Sequence, residues 1–151
     1  MTRYKGMFLW LLLALVPATA ALLAIRHPGN VAQTRPDHPE PDLRTRRYPR
    51  RGDAASFRQR IESVIPSLST YGKAWRLAQT VPAPEGGFTV KAEVPVLFFT
   101  DDLHVQVRPD PTNAYWLVDV VSRSRTGKSD LGENRRHVVQ LLASLDQDSQ
   151  D

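Results

Sequence analysis

Cysteine is absent from this 151-residue chain. Its absence excludes disulfides, thiolate metal sites, iron–sulfur clusters, cysteine nucleophiles and a lipid carried on cysteine. A strong excess of one charge is also missing: 20 Lys+Arg stand against 16 Asp+Glu, a formal net charge of +4. That charge is unevenly placed, with nine arginines from Arg26 to Arg60 against Asp37, Glu40, Asp42 and Asp53. From Ile61 onward nine basic residues face twelve acids, so the part that folds is slightly acidic. A nucleic-acid domain would carry its basic residues as a stripe on the fold, so nucleic acid is not an expected partner. There is no internal repeat, no phosphate-binding glycine loop and no zinc-ligand spacing, and neither a metal nor a cofactor is expected. With 41% hydrophobic and 24% charged residues, wholesale disorder and a polytopic membrane protein are both excluded. The length suits one domain.

One long uncharged run is present. Met7–Ile25 spans nineteen residues without a charge, about 28 Å as a helix and close to the thickness of a bilayer's hydrocarbon core. Arg3 and Lys5 precede it, and Tyr4 and Trp10 suit a headgroup interface. The expectation is an N-terminal transmembrane helix in segment 1–25. The chain would be single-pass in an inner membrane, held there through residues 7–25, with its C-terminal domain facing the periplasm. The alternative is a cleaved signal peptide with Ala18-Thr19-Ala20 as its cleavage site, which would release the protein to the periplasm. Residues 26–51 read as a linker, because Pro28, Pro36, Pro39, Pro41 and Pro49 leave no strand-length apolar run. Its arginines at 44, 46, 47, 50 and 51 read as a solvated tether.

The folded unit is expected over 52–146, with 147–151 a disordered tail. Asp53 can cap a helix over Ala54–Leu68, whose Phe57, Ile61, Val64, Ile65 and Leu68 make one apolar stripe. Ala74–Val81 follows as a strand with Trp75 and Leu77 on one face. Phe88, Val90, Ala92 and Val94 then alternate with polar residues, as do Leu103, Val105 and Val107. Tyr115–Ser122 is the fourth strand. Asp130-Leu131-Gly132-Glu133 has capping-box spacing, ahead of a helix whose stripe is Leu131, Val138, Leu141, Leu142 and Leu145. The fold class is α+β, an antiparallel meander sheet of about four strands with two helices on one face.

Two stretches stand out: Phe99-Thr100-Asp101-Asp102-Leu103, and Val118-Asp119-Val120-Val121-Ser122-Arg123-Ser124-Arg125-Thr126-Gly127-Lys128-Ser129-Asp130-Leu131-Gly132-Glu133-Asn134. Together they resemble the domain-of-unknown-function 1499 family, bacterial and plastid proteins often found with a membrane segment. The resemblance runs from Asp42 to Leu145. It implies a structural motif of Asp101, Asp102, Ser124, Gly127, Asp130, Gly132 and Asn134. Val121 and His137 stand where arginine is usual in that family, and no activity follows from membership.

Read from the residues, Asp101 and Asp102 point to opposite faces of a strand, with Asp102 paired to an arginine such as Arg125. Asn134 falls on the buried stripe of the last helix and needs partners, expected in the loop from Arg123 to Lys128. No histidine is placed beside Ser122, Ser124 or Ser129 to act as a base. The leading reading is a non-catalytic envelope module that binds an anionic ligand or a partner protein through Arg123, Arg125 and Lys128. One alternative is a hydrolase of a lipid or envelope substrate using Asp101 or Asp102. Another is a purely structural scaffold.

Overall fold

The computed structural model describes residues 15–22, 25 and 29–147. Residues 15–22 are helical. The rest of the uncharged run Met7–Ile25, apart from Ile25, lies outside the described residues, as does the expected tail beyond Gln147. Among the described residues no helix is long and apolar enough to cross a membrane.

Eight strands and two long helices follow: β1 (Val31–Gln33), β2 (Arg46–Pro49), α1 (Ala54–Ser67), β3 (Ser69–Thr70), β4 (Lys73–Ala74), β5 (Arg76–Pro82), β6 (Phe88–Val96), β7 (Phe99–Pro109), β8 (Tyr115–Ser124) and α2 (Glu133–Gln147). The meander is present as the antiparallel run β5-β6-β7-β8. Strict alternation fixes its faces: Val90 lies opposite Val105, which lies opposite Val120, and all three are fully buried. Each such side chain contributes about 1.5–3 kcal/mol of burial. α1 packs on β5 and β6, α2 packs on β8 and β1, and the two helices touch. Asp53 caps α1 by accepting the Ser56 N–H at 2.8 Å, and Pro66 sits in the last turn of that helix.

The stretch read as a linker is part of the sheet. β1 and β2 both pair antiparallel with β8, bringing the main sheet to six strands. Between them the Thr34 and Thr45 hydroxyls both donate to the Asp119 carboxylate, and the Thr34 hydroxyl oxygen accepts the Val120 N–H. Three arginines of this stretch contact the fold rather than lie on a free tether. Arg46 pairs with Asp146 at 3.2 Å, Arg47 stacks over Tyr115, and Arg50 stacks over Trp116. Prolines tolerated on edge strands, and pairs three or four residues long, account for the missing sequence signal.

Two further expectations fail for local reasons. Leu77 is 42% exposed, because β5 is an edge strand whose register shifts between Leu77 and Gln79. Leu131 is 40% exposed and lies ahead of α2, with φ +55° followed by Gly132 at +90°. That left-handed pair turns Leu131 away from the helix stripe.

Gly87 has ordinary backbone angles but no room for a side chain, because an added Cβ would run into the Val107 carbonyl oxygen. Gly87→Ala is therefore expected to destabilise the fold by about 1–3 kcal/mol in urea unfolding. The β5–β6 connection must shift to relieve the clash.

Candidate functional site

The two aspartates of the first motif part company at the backbone. β7 pairs regularly through Asp101 and Asp102 on both sides, with no bulge, so their side chains take opposite faces. Asp102 stands on the open face, where Arg125 donates Nε–H and Nη2–H to its carboxylate at 2.9 and 2.6 Å. Arg125 also donates to Glu93 at 2.7 Å, and Glu93 accepts from Arg76 at 3.0 Å. These bonds hold the Glu93 carboxyl below its ordinary value, the Arg125 hydrogen bond being the largest cause, and push the Arg125 guanidinium up. Asp102 was expected to pair with Arg125, and it does. Two carboxylates hold that arginine through Nε and Nη2, while its side chain stays 44% exposed. Arg123 and Lys128 remain as exposed cations of the loop.

Asp101 faces the helices and is 2% exposed. Burial raises its pKa, and the charges of Asp130, Glu133 and Asp102 add to that, while the Ser124 hydroxyl bond opposes it. Its Oδ2 has no hydrogen-bond donor and lies 3.6 Å from Nδ1 of His137. His137 is 1% exposed, edge-on to Trp75, and is held neutral with a pKa lowered to about 4, first by burial and then by the charge of Arg136.

Asn134 organises the polar floor. It is fully buried, and its Nδ2 donates to Ser124 Oγ at 2.9 Å and to the Asn30 carbonyl at 2.8 Å. Its Oδ1 accepts the Ser122 hydroxyl at 2.6 Å. Ser124 was among the expected partners. Asn30 was not, and it also donates through Nδ2 to the Gly127 carbonyl at 3.0 Å. Nothing local to Asn30 announces a contact made across most of the chain.

Asp130 accepts the Gly132 and Asn134 N–H groups at 2.9 and 2.8 Å, capping α2. The expected capping box is only half made, because Glu133 turns elsewhere. Its Oε1 accepts the Tyr71 hydroxyl at 2.7 Å and Arg136 at 2.8 Å. Its Oε2 is buried without a donor, 3.8 Å from His137 Nε2, which also has no partner.

A histidine does therefore stand beside a serine, contrary to expectation, with His137 Nδ1 3.3 Å from Ser122 Oγ. The Ser122 proton goes to Asn134, which leaves the serine oxygen to accept from a protonated Nδ1. A nucleophilic triad needs serine and carboxylate on opposite ring nitrogens. Here Ser122 and Asp101 share the same nitrogen, and Ser122 is fully buried. The arrangement is a structural network. Among the described residues no group of three His, Asp or Glu could hold a metal ion.

Above this floor opens a cleft of about 420 Å³. Its walls are Tyr71, Val96, Leu97, Phe98, Phe99, Thr126, Gly127, Ser129 and Leu131, and Asp101, Ser124, Asp130 and Glu133 line its base. Phe98 is 93% exposed at the β6–β7 turn, with Phe99 at 57% and Leu97 at 53%. Tyr71 tips the β3–β4 hairpin at φ +51°, ahead of Gly72. The signals available in the sequence were the adjacent phenylalanines of the turn and the position of His137 three residues after Asn134 on one helix face.

The family described as a protein of unknown function, DUF1499, matches residues 23–145. No curated protein matches the chain. Among solved structures, the Ran-binding protein Mog1p of Saccharomyces cerevisiae is similar over 77% of each chain, with 16% identity and a TM-score of 0.40.

Proposed function

Because the chain belongs to DUF1499, a family of unknown function, the site itself has to supply the reading, and we propose a non-catalytic binding module that takes a side chain of a partner protein into this apolar-walled cleft. The observation that carries the reading is the set of exposed apolar side chains at Leu97, Phe98, Phe99, Tyr71 and Leu131 around one concave opening. Clustered apolar exposure of this kind marks interaction surfaces, and aromatic residues dominate the energetics of protein contacts. A protein partner fits better than a lipid or other anion, because Asp101, Asp130 and Glu133 line the base and no lysine or arginine lines the cleft. The two carboxylates lie on opposite sides of the sheet, so the alternative hydrolase would draw on Asp101 or on Asp102 and not on both.

We place the module at a membrane through residues 7–25, on the periplasmic side of an inner membrane. The support is the length and neutrality of that run, with Arg3 and Lys5 before it.

Photo-crosslinking in the cells that make the protein tests the binding reading. Benzoylphenylalanine in place of Phe98 should give a discrete protein adduct that Phe99→Ser abolishes and Arg125→Ala leaves in place. The same probe at Glu85, in the turn at the far end of β6, should give none. Equal adducts from both positions, or none from either, would overturn the reading.

A further inference from the structure

We propose that the group entering the cleft carries a positive charge: a lysine or arginine side chain of the partner, its stem against Leu97, Phe99 and Leu131 and its head at Asp101 and Glu133. This rests on the binding reading above and names the chemistry of the ligand.

The base of the cleft holds two acceptors that receive no hydrogen bond, each facing the neutral His137 ring at 3.6 and 3.8 Å. Asp101 has a side chain only 3% exposed, and its Oδ2 receives no hydrogen bond. Glu133 spends Oε1 on Tyr71 and Arg136, while Oε2 receives none. A cluster of acids alone would be an ordinary surface feature, and Asp130 already accepts one N–H on each oxygen as it caps the helix. The buried, donor-free oxygen of Asp101 is what separates this base from such a cluster. Leaving a buried acceptor unpaired is unfavourable, and a donor brought in by a ligand would remove that penalty.

The walls suit the same guest. Lysine and arginine lay aliphatic stems along apolar surface while their heads seek polar partners. Aromatic faces attract cations, and Arg136 already lies 6.0 Å from the Tyr71 ring centre at the rim. A purely apolar guest would fill the walls and leave both acceptors unpaired. An anion would meet three carboxylates.

The full chain, titrated with three blocked tripeptides and followed by the backbone amides of Phe99, Asp101 and Leu131 in NMR spectra, tests this. The probes are acetyl-Gly-Arg-Gly-amide, its citrulline counterpart and its norleucine counterpart. The arginine peptide should bind roughly tenfold more tightly than either neutral one. Glu133→Gln and Asp101→Asn should each remove most of that preference while leaving norleucine binding unchanged. If Asp101→Asn does not fold, Glu133→Gln decides. Norleucine binding as tightly as arginine would overturn the cationic guest and leave the binding reading intact. Absence of saturable shifts with all three peptides would overturn both.

Discussion

Asn134→Ala is expected to lower the stability of the domain by about 2–4 kcal/mol, far more than a surface amide would. The side chain is fully buried and ties three segments at once: Asn30 ahead of β1, Ser122 and Ser124 at the end of β8, and its own helix. Alanine leaves the Ser122 hydroxyl without its acceptor and Ser124 Oγ without its donor, and it opens a small void besides. The Asn30 carbonyl keeps only the Ser124 N–H at 2.9 Å. Urea unfolding measures the loss. Amide hydrogen exchange at residues 30 and 124–130 should accelerate in the same variant, beyond what the global loss alone produces, because this amide is what joins the cleft's rim to the helix. An Asn134→Ala protein as stable as the parent, with an unchanged rim, would contradict the account.

The second large effect is a loss of stability between about pH 6.5 and pH 4 that depends on His137. Burial holds the folded imidazole neutral with a pKa of about 4, against an ordinary value of 6.5. Between those values the unfolded chain binds the extra proton, so stability rises with pH through the window and is undiminished above it. The full difference is about 3 kcal/mol, present as destabilisation below pH 4. The groups facing the ring are Asp101 on β7, Asp130 before α2, and Glu133 and Arg136 on α2. Asp101 acts in the opposite sense, since its raised pKa favours the protonated folded form and loses that contribution as pH rises. Asp53, Glu93 and Asp110 have lowered values, so their stabilisation persists down to the ordinary carboxylate range and is lost below it. Urea midpoints from pH 4.5 to 7.5 should therefore fall towards acid in the parent and stay nearly flat in His137→Gln. Parallel curves for the two proteins would show that the histidine is not held neutral.

Much of the framework is legible in the residues because it follows from periodicity. Phe88–Val94 and Leu103–Val107 alternate without interruption, and their apolar members are the buried face of the sheet. The same rule sends Asp101 inward and Asp102 outward, and places Asn134 on the covered side of its helix. What was not legible depends on contacts distant in the chain. β1 and β2 are too short to show alternation, and their pairing is set by β8, about 70 to 90 residues later. Asn30 acquires its role only when Asn134 and Gly127 arrive beside it. Leu131 and Leu77 have the right residue type at the right spacing, and a left-handed backbone pair in one case and an edge-strand bulge in the other move them out of the core. The carboxylates and histidine below the cleft are of residue types that usually sit in water, and their burial follows from strand register and helix placement together.

The loop motif presents three cations in sequence, yet the arginine at its centre is paired with its neighbours and the exposed apolar turn lies beside it. Two surfaces thus compete as the binding face: the cleft over Asp101, and the open sheet face that carries Asp102, His104, Gln106 and Arg108. Hydrogen–deuterium exchange of the full chain, alone and bound to the protein captured at Phe98, separates them directly. Protection centred on residues 96–99 and 126–131 is the predicted result. Protection confined to 102–108 and 117–123 would contradict it.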